Sequence, residues 1–107
     1  MFARMVECQA QNGRNEEMNT KLLDEIVPIL QRQPGFVDFL ALADRRVPER
    51  LVCISLWTSR DAAEQFHRQH YRRVLGMLEP LLDSAPILET FAVNASTAHH
   101  LSITQAA

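Results

Sequence analysis

An α+β fold of element order β-α-β-β-α-β, built on one antiparallel four-stranded sheet, follows from three observations on the sequence. Four segments have strand character, at residues 2–9, 36–43, 51–57 and 87–94. Two longer segments, 15–33 and 60–83, repeat apolar residues at spacings of three and four. Turn chemistry separates them: Asn12-Gly13, Gln33-Pro34-Gly35 and Asp83-Ser84-Ala85-Pro86 stand at the joints. This order is the ferredoxin-like split βαβ arrangement.

Residues 2–9 alternate with period two, placing Phe2, Arg4, Val6 and Cys8 on one face and Ala3, Met5 and Glu7 on the other. The helix after Asn12-Gly13 starts with Glu16 and Glu17 in its first turn, where the helix dipole favours acids. Met18, Leu22, Ile26, Ile29 and Leu30 form its apolar stripe. Pro28 lies inside this helix and lacks the N–H that would pair with the Asp24 carbonyl, so the sequence predicts a kink there. Gln33-Pro34-Gly35 ends the helix, with glycine available for a left-handed turn. The polar stretch 44–50 between the second and third strands suits a hairpin connection. Thr58 or Ser59 caps the second helix, with Thr58 and Asp61 spaced as a capping box, and a break in it is expected near residues 69–71. The second and third strands are nearly continuous apolar runs, which demands cover on both faces of the sheet.

At 107 residues the chain has room for one domain, assigned to residues 1–94 and followed by a tail at 95–107. Within the tail, residues 101–104 have the makings of a short β segment, and the tail as a whole is expected to pack on a partner subunit. A hydrophobic fraction of 47% and a charged fraction of 22% are those of an ordinary globule. The net charge of −2 and the short, acid-offset arginine groups argue against a nucleic-acid partner. Cys8 and Cys53 sit in apolar runs without a CxxC motif and read as buried thiols. Arg4, Glu7 and Gln9 interrupt any signal-peptide pattern, and no apolar run approaches the ~20 residues of a bilayer span, so no membrane association and a cytoplasmic location are expected.

With these elements in place, the chain resembles the antibiotic biosynthesis monooxygenase (ABM) family of dimeric α+β barrels. The features that carry the resemblance are Gln33-Pro34-Gly35-Phe36, Ile54-Ser55-Leu56-Trp57-Thr58-Ser59, Ala62-Ala63 with Phe66, His70-Tyr71, and Phe91-Ala92-Val93, in that order over residues 2–94. The resemblance implies a homodimer in which two sheets pack face to face, supplying the second layer that the apolar strands demand. It also implies a pocket between sheet and helices for a small hydrophobic or aromatic ligand. The activity it implies is oxygenation of a quinol, anthrone or similar polyphenol without metal or flavin.

Such a reaction needs an electron-rich phenol or enol bound in a dry cavity, a group that takes its proton, and a hydrogen bond that holds the resulting anion. Among residues matched to the family, His70 is the first candidate for the proton step, followed by its neighbour Tyr71; many members carry a histidine and aromatic there. His67 is the third. Many members also place a histidine nine residues after the tryptophan; here that position is Phe66, with His67 one place later. Trp57 and Phe66 are candidate substrate-binding residues, although a tryptophan ending an apolar strand ordinarily anchors a core. Arg4 is a third, because an arginine between Phe2 and Val6 must snorkel out or meet an acid or a substrate oxygen. Asp38 and Glu89 are similar oddities on their strands, read either as partners of Arg4 or as residues at a sheet edge. His67 and His70 lack a third metal ligand at a recognisable spacing, and no Gly-rich phosphate loop is present, so neither metal nor cofactor is expected.

Two alternatives compete with the monooxygenase reading. One is a non-catalytic barrel that binds a small hydrophobic molecule. The other is heme binding and degradation, against which stand a first strand without Asn, Phe66 at the tryptophan position, and Gly76 near the position of the heme-ligating histidine.

Overall fold

The computed structural model describes residues 1–99. Strand β1 (Phe2–Gln9) leads to a first helical run made of α1 (Asn15–Lys21), a π-helical segment (Leu22–Ile26) and α2 (Val27–Gln31). Strands β2 (Phe36–Ala43) and β3 (Arg50–Trp57) form a hairpin. The second helical run comprises α3 (Arg60–Phe66), a π-helical segment (His67–Tyr71), α4 (Arg72–Leu78) and a 3-10 turn (Glu79–Leu81), and β4 (Ile87–Ala92) completes the sheet. Every strand pair is antiparallel and the spatial order is β2-β3-β1-β4. The expected α+β order is therefore present, with both helical runs on one face of the sheet.

Register decides which side chains meet those helices. Phe2, Arg4, Val6 and Cys8 on β1 lie opposite Trp57, Ser55, Cys53 and Leu51 on β3, and the buried β3 positions are these same alternate residues. On β2 a bulge between Phe36 and Asp38 absorbs Val37. That extra residue lets Phe36 and Phe39, three apart in sequence, both pair with helix-facing β3 residues. The core then closes around Trp57, 0% exposed, with Met18, Leu22, Ile26, Phe66, Val74 and Leu78 contributed by the helices.

The opposite face carries Met5, Val52, Ile54, Leu40, Leu42, Ile87 and Phe91, and among the described residues no helix covers it. Leu40, Leu42, Ile87 and Phe91 are between 46% and 57% exposed. Asp38 and Glu89 belong to this face by register, so neither meets Arg4 as its partner; Asp38 instead lies 3.4 Å from His99. At the hairpin end Arg50 joins Glu7 at 2.6 Å and Asp44 at 3.2 Å, tying β1 to the β2–β3 connection. The expected β segment at 101–104 and the remainder of the tail lie outside the described residues.

Several local expectations take a different form. The first helix is not kinked by Pro28 as an isolated defect. A π turn precedes the proline, in which the Val27 N–H reaches the Leu22 carbonyl five residues back, and Pro28 falls at the start of the next α segment, where a missing N–H costs little. Ser59, not Thr58, is the N-cap of α3: its hydroxyl accepts the Ala62 N–H at 3.1 Å. The break expected near residues 69–71 is the second π segment, beginning two residues earlier.

Gly35 has φ +81°, and a Cβ placed there would lie 2.5 Å from the Ala62 Cβ and 2.8 Å from the Thr58 hydroxyl. Both the left-handed backbone and the close passage of α3 require glycine. Gly35→Ala is expected to cost more than about 2 kcal/mol, read as a lower urea midpoint at unchanged m-value. A midpoint within error of the parent protein would show that α3 yields freely at this contact.

Candidate functional site

Among the described residues Arg4 is the one charged residue with a buried side chain, at 4% exposure. Its position on β1 aims it at the helical layer, between Phe66 at the end of α3 and the π segment that follows. The guanidinium carbon lies 5.1 Å from the Phe66 ring centroid and 5.0 Å from that of Tyr71. Both separations are in the range where a cation is drawn to a ring's electron-rich face. Nη2 meets His67 Nδ1 at 3.0 Å. Arginine has no acceptor, so His67 Nδ1 must accept, and the neutral imidazole then carries its proton on Nε2. Among the described residues no carboxylate comes within ion-pair distance of Arg4. Burial draws its pKa down and Tyr71 opposes that shift, but a guanidinium remains charged regardless.

Two hollows share this residue. The inner one, between sheet and helices, has a volume of about 60 Å³. Its walls come from Val6, Cys8, Cys53 and Ser55 on the sheet, Leu22 and Ile26 on the first π segment, and Phe66, Tyr71 and Val74 on the second run. The outer one is a groove of about 480 Å³ bounded by Phe2, Arg4, His67, Arg68, Leu88 and Thr90. Burial lifts the Cys8 thiol to about 11 and the Cys53 thiol to about 12, and burial likewise raises the Tyr71 phenol. At neutral pH the inner walls thus carry a single charge, that of Arg4.

The aromatic side chains of the second helical run form two stacks, each between residues four apart or across to the sheet. His67 stacks on Tyr71 at 4.7 Å, while His70 stacks on Phe66 at 6.0 Å and Phe66 on Trp57 at 5.2 Å. Arg4, His67, Tyr71 and Phe66 are therefore brought together. His70 is not among the residues that line either hollow, and Trp57 lies behind Phe66, meeting Phe36 edge-on at 5.7 Å. Sequence reasoning passed over Ser55, which is buried beside Arg4 and accepts the Trp57 indole N–H at 2.9 Å. A serine in an otherwise apolar strand, directly opposite the buried arginine, was the available signal. Among the described residues no cluster of three metal-ligating side chains forms.

The family model described as antibiotic biosynthesis monooxygenase matches residues 1–74. No curated protein matches the chain by sequence. Among solved structures, a monooxygenase from the ActVA-Orf6 gene of Streptomyces coelicolor, in complex with the ligand nanaomycin D, superposes with a TM-score of 0.77 at 15% identity, covering 89% of this chain and 88% of that one. SnoaB, a cofactor-independent oxygenase from Streptomyces nogalater, gives 0.73 at 22% identity, covering 90% and 96%. A protein of unknown function from Nitrosomonas europaea gives 0.75 at 18% identity, covering 90% and 91%. At these identities the likeness is one of fold.

Burial and the charge of Arg4 both hold the His67 pKa below its usual value of 6.5. As pH falls, the unfolded chain takes up this proton before the folded one does. The stability His67 contributes is thus complete above the ordinary histidine pKa and is lost as pH drops through the lowered folded value. His67→Phe keeps a ring on Tyr71 and removes the titration. The gap in urea midpoint between parent and variant is expected to shift in the variant's favour between about pH 7.5 and about pH 5. A pH-independent gap would contradict the Arg4–His67 bond.

Proposed function

Because the chain belongs to the antibiotic biosynthesis monooxygenase family, we propose that it is a cofactor-independent monooxygenase that binds a quinol, anthrone or similar polyphenol as an oxyanion on Arg4. One observation carries this reading: a buried guanidinium that has no carboxylate partner among the described residues, standing where an apolar cavity meets an open groove. A phenolate or enolate is a group that such a charge stabilises well, and at 4% exposure the guanidinium is shielded enough for the attraction to be strong.

In this reaction the substrate loses a proton and the resulting anion passes electrons directly to dioxygen. One oxygen atom enters the product and the other leaves as water; a naphthohydroquinone, for example, gives a hydroxynaphthoquinone. Arg4 lowers the acidity barrier by favouring the ionised oxygen. His67, held neutral, is the nearest proton acceptor once its Nδ1 is released from Arg4 toward the ligand, and it is better placed than His70. Tyr71 stays protonated and closes one wall. The inner cavity is smaller than the ~150 Å³ that a benzene-binding cavity offers, so an aromatic ring enters by parting the helical layer from the sheet. The two π segments in those walls are where the helical ladder is already loosened.

The apolar sheet face supports the finer reading of a homodimer, two sheets packing face to face through Leu40, Leu42, Ile87 and Phe91. Free thiols at Cys8 and Cys53 support placing the protein in a reducing compartment such as the cytoplasm. Among the described residues no helix is long and apolar enough to cross a membrane.

Oxygen uptake with a panel of naphthohydroquinones and anthrones tests the activity. Turnover above autoxidation is expected for at least one of them, with kcat/KM reduced by about 10²-fold in Arg4→Met; uptake at background for the whole panel would sink the reading. Leu42→Lys combined with Phe91→Lys is expected to convert a sedimenting dimer to a monomer. A parent protein that already sediments as a monomer would remove the dimer.

A further inference from the structure

The Ser55 hydroxyl faces a hydrogen-bonding constraint that its surroundings leave open. Trp57 Nε1 is a donor only, so in the 2.9 Å contact between them the serine oxygen accepts. Its own proton must then point elsewhere. Ser55 is buried, and among the described residues no carbonyl, carboxylate or ring nitrogen takes that proton. The side chain lines the inner cavity, on the strand position directly opposite Arg4. Directly opposed antiparallel residues hold their Cβ atoms about 5 Å apart, close enough for two side chains to converge on one atom.

We propose that Ser55 and Arg4 form a two-donor site for a single ligand oxyanion on the sheet side of the cavity, with Trp57 orienting Ser55. This inference rests on the proposed function and deepens it, because it specifies how the ionised oxygen is held. The guanidinium supplies charge and fixed N–H groups, of which one is engaged by His67. The serine supplies a neutral hydrogen bond whose direction is set from behind, since its acceptor side is already occupied by the indole. Trp57 cannot swing away: it is fully enclosed by Phe36 and Phe66. Ser55 is thus a binding residue, and Trp57 a positioning residue acting through it.

The surrounding titratable groups leave this task to the pair. Cys8 and Cys53 on the sheet and Tyr71 on the helical run all hold their protons at neutral pH, so none competes as an anion for Arg4. His67 is neutral and already accepts from Arg4. A ligand bearing a phenol of moderate acidity is therefore selected in its ionised form. An alkyl alcohol, too weak an acid to ionise, gains little.

The test uses 4-nitrophenol, whose phenolate absorbs in the visible, titrated into the full chain at fixed pH below the free phenol's pKa. The parent protein is expected to bind it yellow, as the phenolate. In Ser55→Ala the bound phenolate-to-phenol ratio should fall roughly tenfold, the scale of one hydrogen bond to a charged group. Ser55→Thr, which keeps a hydroxyl at the same place, should restore most of it. Thermal melts of each variant separate loss of binding from loss of fold, since Ser55→Ala also strands the Trp57 N–H. Equal ratios for parent and Ser55→Ala, or binding by the parent as the neutral phenol or not at all, would overturn the two-donor site. Oxygen uptake is read separately on the quinol panel, so the site can fail while the monooxygenase reading stands, and the reverse.

Discussion

A guanidinium cannot shed its proton, so a strand that buries one commits the rest of the domain to accommodating a charge. Arg4 is accommodated without an acid. A histidine lone pair and two aromatic faces surround it, and each of these offers partial negative character without neutralising it. The arrangement is costly compared with an apolar residue at the same position. An ordinary core would place leucine or valine there and lose nothing in packing. On the proposed reading, a ligand oxyanion is what the unspent charge acts on.

The helical layer is shaped around the same requirement. A regular α-helix through residues 60–81 would hold one side of every turn against the sheet. The π segment at His67–Tyr71 inserts an extra residue into the turn next to Arg4, and the first run carries its own π segment directly across the cavity. Side chains from both line the inner hollow. On the sheet side the Val37 bulge makes a matching adjustment, turning Phe39 toward the same space. Three departures from regular structure, on three different elements, border one cavity.

These departures also mark the limit of what the sequence discloses. Period-two alternation at Phe2–Cys8 and the three-and-four spacing of Met18, Leu22 and Ile26 are produced by burial on one face, so element order and the helix-facing register of β1 were legible. The apolar character of the open face was legible as well: Leu40, Leu42 and Ile54 lie on the side of the sheet away from the helices. The site was legible in part. Arg4 stood out because charge in an apolar strand is rare, and Tyr71 and His67 were within the set considered. Their arrangement was not readable, because Phe66 with His70 and His67 with Tyr71 are both four apart, and spacing alone does not say which pair faces Arg4. His67 and His70, three apart and expected on one face, end in separate stacks. Ser55 escaped because a hydroxyl in a strand is unremarkable until its partner across the sheet and its indole donor are known. Of the two readings open for Asp38 and Glu89, the sheet edge holds: β2 and β4 are the outer strands, and one residue of phase puts both acids on the face away from Arg4.

Trp57 is the chain's single tryptophan, and its placement has a spectroscopic consequence. The indole is sealed from solvent, stacked on the Phe66 ring that also borders Arg4, and bonded to the serine beneath the cavity. Its emission should be short in wavelength, and its quenching and energy transfer should respond to any chromophoric guest one layer away. The fold thus carries an intrinsic optical probe whose tryptophan signal comes from one known location in the chain. Occupancy of the cavity can be followed in the unlabelled protein, in real time, before any product is identified.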